Sequence, residues 1–446
     1  MWRCKHPAPM DFHRRFLGLQ VHVRAAGALL LSAACLTLAN NGTCATGWPS
    51  FRGPTGDGHA PVECAPPVEW GESNRVKWST EIPNRGWSTP AVLGDQVWVT
   101  AATVDGKDSF VLSLDAATGK IKVNKQLFHT EAPEPLGNDV NCYATPSPVI
   151  EQGRVYVHFG SYGTACLDTR SGAVVWERKD LQCRHYRGPS SSPILFENLL
   201  ILTYDGADLQ YHVALDKKTG KTVWKTDRSV PWNDENVPGQ MAKDGDLRKA
   251  HSTPLVVVAD GKPLLLSAGA KAAYGYEPRT GKELWQVRHM AWSAAPMPLY
   301  RNGLSYFVTG SGKTELLAIR IGGQGNVSET HVAWRYDDMV AKTASPIIVE
   351  DKIYMVSDDG MLTCLNAESG KQVWRCRVGG NYAASPLLAG GKLYFFSKQG
   401  KATVLEPGAE YKALGTNTLS DGFMASPALV GNTLFLRTRT RLYRVE

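Results

Sequence analysis

Residues 344–374 read ASPIIVEDKIYMVSDDGMLTCLNAESGKQVW: a small residue and a proline, two apolar stretches, then Asn-x-x-Ser-Gly-Lys-x-x-Trp. Lys352 to Val356 alternates with the period of two of a half-buried strand. Asn366 can hydrogen-bond its own turn and Gly370 can take the left-handed conformation, so a tight hairpin is expected there. Residues 191–224, SSPILFENLLILTYDGADLQYHVALDKKTGKTVW, follow the same order. Aligned on the following apolar strand, the opening prolines are Pro90, Pro148, Pro193, Pro254, Pro296, Pro346, Pro386 and Pro427, spaced 40 to 61 residues apart. Eight repeats of short alternating strands at this period predict an all-β, eight-bladed β-propeller. No stretch sustains the 3.6-residue apolar period of a helical solenoid.

Residue choice within each copy follows blade geometry. Proline is tolerated where a strand starts, and a small residue suits the crowded axis. The third strand ends at Asp115, Asp168, Asp216, Glu277 or Asn366, with a glycine four residues later and, in four copies, a tryptophan four beyond that. The regular place of Trp176, Trp224, Trp285 and Trp374 in the outer strand predicts wedges between blades, and Trp334 serves the irregular fifth copy. The last copy stops at Glu446 after three strands. Its fourth is expected from residues 75–80, with Trp78 in the wedge position, so that the N- and C-terminal strands close the ring without an exposed edge.

A chain of 446 residues exceeds one compact core, and the repeat accounts for the excess. The net charge of +7 is concentrated at the start, where residues 1–45 carry five Lys or Arg against one acid, leaving only +3 beyond. That is too little to argue for nucleic acid or an acidic membrane surface. Basic residues up to Arg24 precede the apolar AAGALLLSAACLTLA and the polar NNGTCAT, the order of a secretory signal too short for a permanent span. The expectation is a signal over residues 1–45, cut after Ala45, then a single propeller over 46–446 with no transmembrane segment, exported to the periplasm or cell envelope.

The Asp-x-x-Thr-Gly-Lys-x-x-Trp copies resemble the repeat of pyrroloquinoline-quinone enzymes and of outer-membrane assembly scaffolds. With Gly47-Trp48-Pro49-Ser50-Phe51-Arg52-Gly53-Pro54 they are similar to the exported PQQ-binding-like β-propeller repeat proteins, over roughly residues 47–446. The resemblance implies a propeller of quinoprotein type; it says little about activity. Quinone-dependent alcohol dehydrogenases as a family hold the cofactor under a ring of two adjacent bonded cysteines and use a calcium bound by Glu, Asn and Asp. This chain has no Cys-Cys pair, and no P-loop, His-Glu-x-x-His or Gly-x-Ser-x-Gly pattern. The expectation is a non-catalytic binding or scaffold propeller without cofactor or metal, the alternative a pyrroloquinoline-quinone-dependent oxidoreductase.

Cys166 and Cys364 share one repeat position, occupied elsewhere by Ser113, Ala214 and Gly275, where a small buried residue is wanted. Cys142 and Cys183 precede adjacent blades and could bond in an exported protein.

Propellers bind ligands where the loops before the inner strands converge. Those loops carry Arg85 and Trp87, Tyr143, His185 and Arg187, His251, and then Trp292, Lys342, Tyr382 and Asp421. Two readings stand: a ring around a binding mouth, or residues that fill and solvate the channel. Arg and Lys beside Trp suit a planar anion or an acidic segment of an envelope protein. Residues 229–250 are polar with two prolines and are expected as a surface loop over the same face.

Overall fold

In the computed structural model residues 47–446 are described; the expected export signal lies outside them. Eight small sheets, each with a core of four antiparallel strands, form the eight blades, and in the fourth the short strand Gly325–Asn326 adds a parallel fifth. The sixth consists of Ile347–Val349, Lys352–Val356, Met361–Asn366 and Gln372–Arg377, from axis to rim. The eighth takes Ala428–Val430, Thr433–Arg437 and Arg441–Val445 from the C-terminus and Val76–Glu81 from the N-terminus. Trp78 stands opposite Arg444 in that pairing, as the unfinished last copy predicts. No helix among the described residues is long and apolar enough to cross a membrane.

Blades are joined mainly by apolar side chains from facing sheets. Leu299, Tyr306 and Val308 of the fifth blade, for example, pack on Ile348, Ile353 and Met355 of the sixth. The tryptophans add a directional element. The indole N–H of Trp78, Trp176, Trp224, Trp334 and Trp374 donates to a backbone carbonyl of the next blade at 3.0–3.1 Å. Below the first four rings lie Gly119, Gly220, Gly281 and Gly370, at φ 70–72°, where a Cβ would come within 2.5–2.8 Å of the indole. Glycine at that turn therefore answers two demands, a left-handed backbone and room for the neighbouring wedge. Trp285 departs from the pattern: its buried ring covers Gly275 of its own sheet and meets Phe307 edge-on at 6.3 Å.

Cys166 faces Tyr156 and Trp176, and Cys364 faces Tyr354 and Trp374, so the small residue fits between two aromatic rings. Cys142 and Cys183 are both buried and free, which corrects the suggested bond between them. The two sulfurs enter different clusters: Cys142 packs with Trp87 and Met424, Cys183 with Tyr204 and Tyr211. Cys64 is disulfide-bonded.

The segment after Gly47 has a role that the repeat does not announce. Gly47 and Trp48 add a strand inside Ala91–Leu93 of the first blade. The Pro49 carbonyl then accepts the Ile150 N–H of the second blade at 2.9 Å. Further on, Gly58 and Ala60 exchange backbone bonds with Leu388 of the seventh blade at 2.9 and 2.8 Å. The chain thus crosses one end of the channel and closes it.

Candidate functional site

The site begins with the residue preceding each repeat proline: Thr89, Ser147, Ser192, Thr253, Ala295, Ser345, Ser385 and Ser426. Seven of the eight carry a hydroxyl, and these link one blade to the next around the axis. Thr89 N–H donates to Ser147 Oγ, Ser147 N–H to Ser192 Oγ, and Ser192 N–H to Thr253 Oγ1, each at 2.9 Å. The chain resumes where Met297 N–H donates to Ser345 Oγ at 3.0 Å, and runs on through Ser385 to Ser426. It is interrupted at Ala295, which has no hydroxyl. Between the eighth and first blades the buried Arg437 takes over, donating to Ser88 Oγ at 2.6 Å and to the Thr100 carbonyl at 2.9 Å.

Above this ring opens a cavity of about 460 Å³. Phe51, from the closing segment, also lines it. Of the ten residues expected at the mouth, Trp87, Arg187, His251, Trp292 and Lys342 line the cavity. Lys249 and Asp246 join them from the 229–250 insertion, whose Arg248 pairs with Asp234 at 2.7 Å and stacks on Trp232 at 4.3 Å. That insertion is therefore more than a cover: it is part of the wall. Asp246 is held by Lys249 and lies 3.9 Å from Arg187. Asp358 accepts the Lys342 and Thr343 N–H groups at 3.1 Å and the Thr343 hydroxyl at 2.9 Å. Burial, with Lys249, His185 and Arg187 nearby, pushes His251 down to about 3, so it is neutral at pH 7. Burial also lowers Lys249, partly offset by Asp246.

The other five expected residues do not line the cavity. Arg85 sits outside it, its guanidinium 4.9 Å over the Trp87 ring and paired with Asp139 at 3.1 Å. Tyr143 is turned under Gly106, donates to the Glu134 carbonyl at 2.7 Å and meets Tyr162 edge-on. His185 lies buried over Gly160, its Nε2 accepting the Ser161 N–H at 2.8 Å. Tyr382 is buried among Val378 and Phe395. Asp421 fastens a turn of its own blade, accepting the Thr440 N–H and hydroxyl at 2.6 Å. Loops of unequal length turn equally spaced side chains in different directions, so distance from the proline does not decide which face the axis.

Asn141, which precedes the second repeat proline beside Tyr143, also lines the cavity and anchors the loop of the next blade: its amide donates to the Arg187, Gly188 and Pro189 carbonyls at 2.8–3.2 Å and to Ser190 Oγ at 2.7 Å. Other lining features are less evident in the sequence. The hydroxyl ring had a signal in the Ser-Pro and Thr-Pro pairs, visible as small residues but not as a connected set. Lys249 and Asp246 had none, since they fall in the one long non-repeating loop.

An eight-bladed propeller with a tryptophan-locked repeat, crossed at one end by its own chain and opening at the other into a cavity lined by tryptophans, cations and hydroxyls, defines a class of repeat proteins that present a loop-built face. Residues 68–207 and 208–446 match the family described as "Outer membrane protein assembly factor BamB", and the chain belongs to that family. It is 33% identical over 92 residues to the outer membrane protein assembly factor BamB of Burkholderia pseudomallei, which covers 21% of this chain and 23% of that relative's length. Among solved structures it is similar to BamB from Moraxella catarrhalis, with a TM-score of 0.58 and 14% identity over 83% of this chain and 99% of that one. It is also similar to the quinohemoprotein alcohol dehydrogenase of Comamonas testosteroni, with a TM-score of 0.63 and 12% identity over 90% of this chain and 80% of that one. At such identities these likenesses concern the fold.

Proposed function

We propose that this chain is a non-catalytic binding propeller of the cell envelope that holds an anionic ligand, or an acidic segment of an envelope protein, at its channel mouth. Family membership supports the scaffold role and the envelope setting. The observation that carries the site is the joint lining of one cavity by Trp87, Trp292, Arg187, Lys249 and Lys342. Two flat apolar surfaces beside three cations suit a ligand with an apolar body and negative charge.

The quinone-enzyme reading is favoured by the dehydrogenase neighbour and by the same Trp and cation pairing. The donor set fits it poorly. That family's metal needs free carboxylates, whereas Asp246 is held by Lys249 and Asp358 by two N–H groups and a hydroxyl. Among the described residues no group of three or more His, Cys, Asp and Glu is placed to hold a metal ion. Purified protein given pyrroloquinoline quinone and calcium should show no dye-linked oxidation of alcohols or sugars; saturable turnover would overturn the non-catalytic reading.

A further inference from the structure

We infer that the ring of hydroxyls at the base of the mouth cavity is an oxyanion subsite, the place where the ligand's carboxylate, phosphate or sulfate group comes to rest. The inference rests on the reading of the mouth as the binding site and says which end of the ligand points inward. Its basis is a count of protons.

Ser147, Ser192, Thr253, Ser345, Ser385 and Ser426 each accept one backbone N–H from the neighbouring blade. None of the six donates its own O–H to an atom of the described residues. All are at most 7% exposed, and all but Ser345 line the cavity. A buried hydroxyl normally finds an acceptor for its proton. In the five that line the cavity the accepting side is committed to the blade contacts, and the O–H is left without an acceptor among the described residues. An oxyanion is the ligand group that takes several O–H donors at once, and such charge-assisted bonds are short and strong.

The charges around the ring agree. Both acids of the wall are engaged by donors of their own, while the Lys342 ammonium group, near Asp359, forms no ion pair among the described residues. A cation placed at the ring would meet hydroxyl protons from several sides and stand near Arg187, Lys249 and Lys342.

The gap at Ala295 supplies the most direct variant. Ala295 lines the cavity and is only partly buried, so Ala295→Ser adds an eighth hydroxyl without disturbing a packed position. Calorimetric titration of the full mature chain with sodium sulfate and, separately, sodium acetate, at fixed ionic strength in chloride, reads the subsite. Saturable binding of one equivalent of at least one anion is expected, and the stronger of the two tells tetrahedral from planar preference. Ala295→Ser should tighten it, while Ser192→Ala and Thr253→Ala, on the two blades that precede Ala295, should each weaken it about tenfold, the worth of one hydrogen bond to a charged group. Melting curves show whether the alanine variants fold; if they do not, Ala295→Ser alone decides. Absence of binding by both anions overturns the inference, as does binding indifferent to Ala295→Ser. Anion binding lost in Arg187→Ala yet unchanged in the ring variants would also overturn it, placing the anion on the wall and leaving the mouth itself as the site.

Discussion

Trp224 shows how much one residue does in this fold. It is 9% exposed, donates to the Pro278 carbonyl and covers Gly281 of the next blade. Trp224→Ala removes a large buried ring and leaves a cavity between blades, which should cost about 3–5 kcal/mol in urea unfolding. Gly281→Ala should destabilise as well, because the new methyl meets the same ring at 2.5 Å from a φ of +72°. An unchanged midpoint in either variant would mean that the wedge does not support the blade contact. The histidines set the response to acid. Burial pushes His158 and His289 down to about 3 and His185 to about 4, so the folded chain keeps them neutral. The unfolded chain takes up protons near pH 6.5 and the folded one only far below. Their contribution is therefore complete above about pH 6.5 and is lost as the pH falls toward the folded values, by about 1.4 kcal/mol per unit of depression. Stability measured from pH 7 to pH 4 should fall, and His185→Gln should make the fall shallower. A pH-independent stability over that range would contradict this.

At the scale of elements, the repeat was legible and the departures from it were not. The opening proline and strand alternation mark every copy, the turn glycine and outer tryptophan most of them, and the unfinished last copy points to residues 75–80 as its partner. These signals are local, and a propeller repeats one local solution. Side-chain direction in the mouth loops is set by contacts between blades, so Trp87 and Lys342 line the cavity while Tyr143 and Tyr382 turn into the packing of their own loops. The 229–250 insertion and the closing segment lack any repeat to compare with, and their contributions came only from tertiary placement. Both ends of the chain carry weight. Removing residues 46–82 deletes the outer strand Val76–Glu81 and the segment that carries Phe51 across the channel. The shortened protein should melt far lower and less cooperatively, since the eighth blade is left with three strands and an open edge. A melting curve like that of the intact chain would remove the closure argument.

For the molecule as a whole, one end of the channel is sealed by its own N-terminal segment, and the cavity at the other end gathers cations, tryptophans and hydroxyls. The blades hold that cavity in place and the loops give it its chemistry, as expected when a rigid scaffold carries function on its connections. The central claim is that this face, and not the blade surfaces, meets the partner. A photo-reactive phenylalanine analogue placed at Met241, exposed beside the cavity, and at Val373, exposed on an outer strand, tests it most directly in cells of the native host. The account predicts a discrete adduct from position 241 that disappears when Arg187→Ala and Lys342→Ala are combined with it, and none from position 373. An adduct from 373 alone, or one from 241 that survives both substitutions, would contradict it.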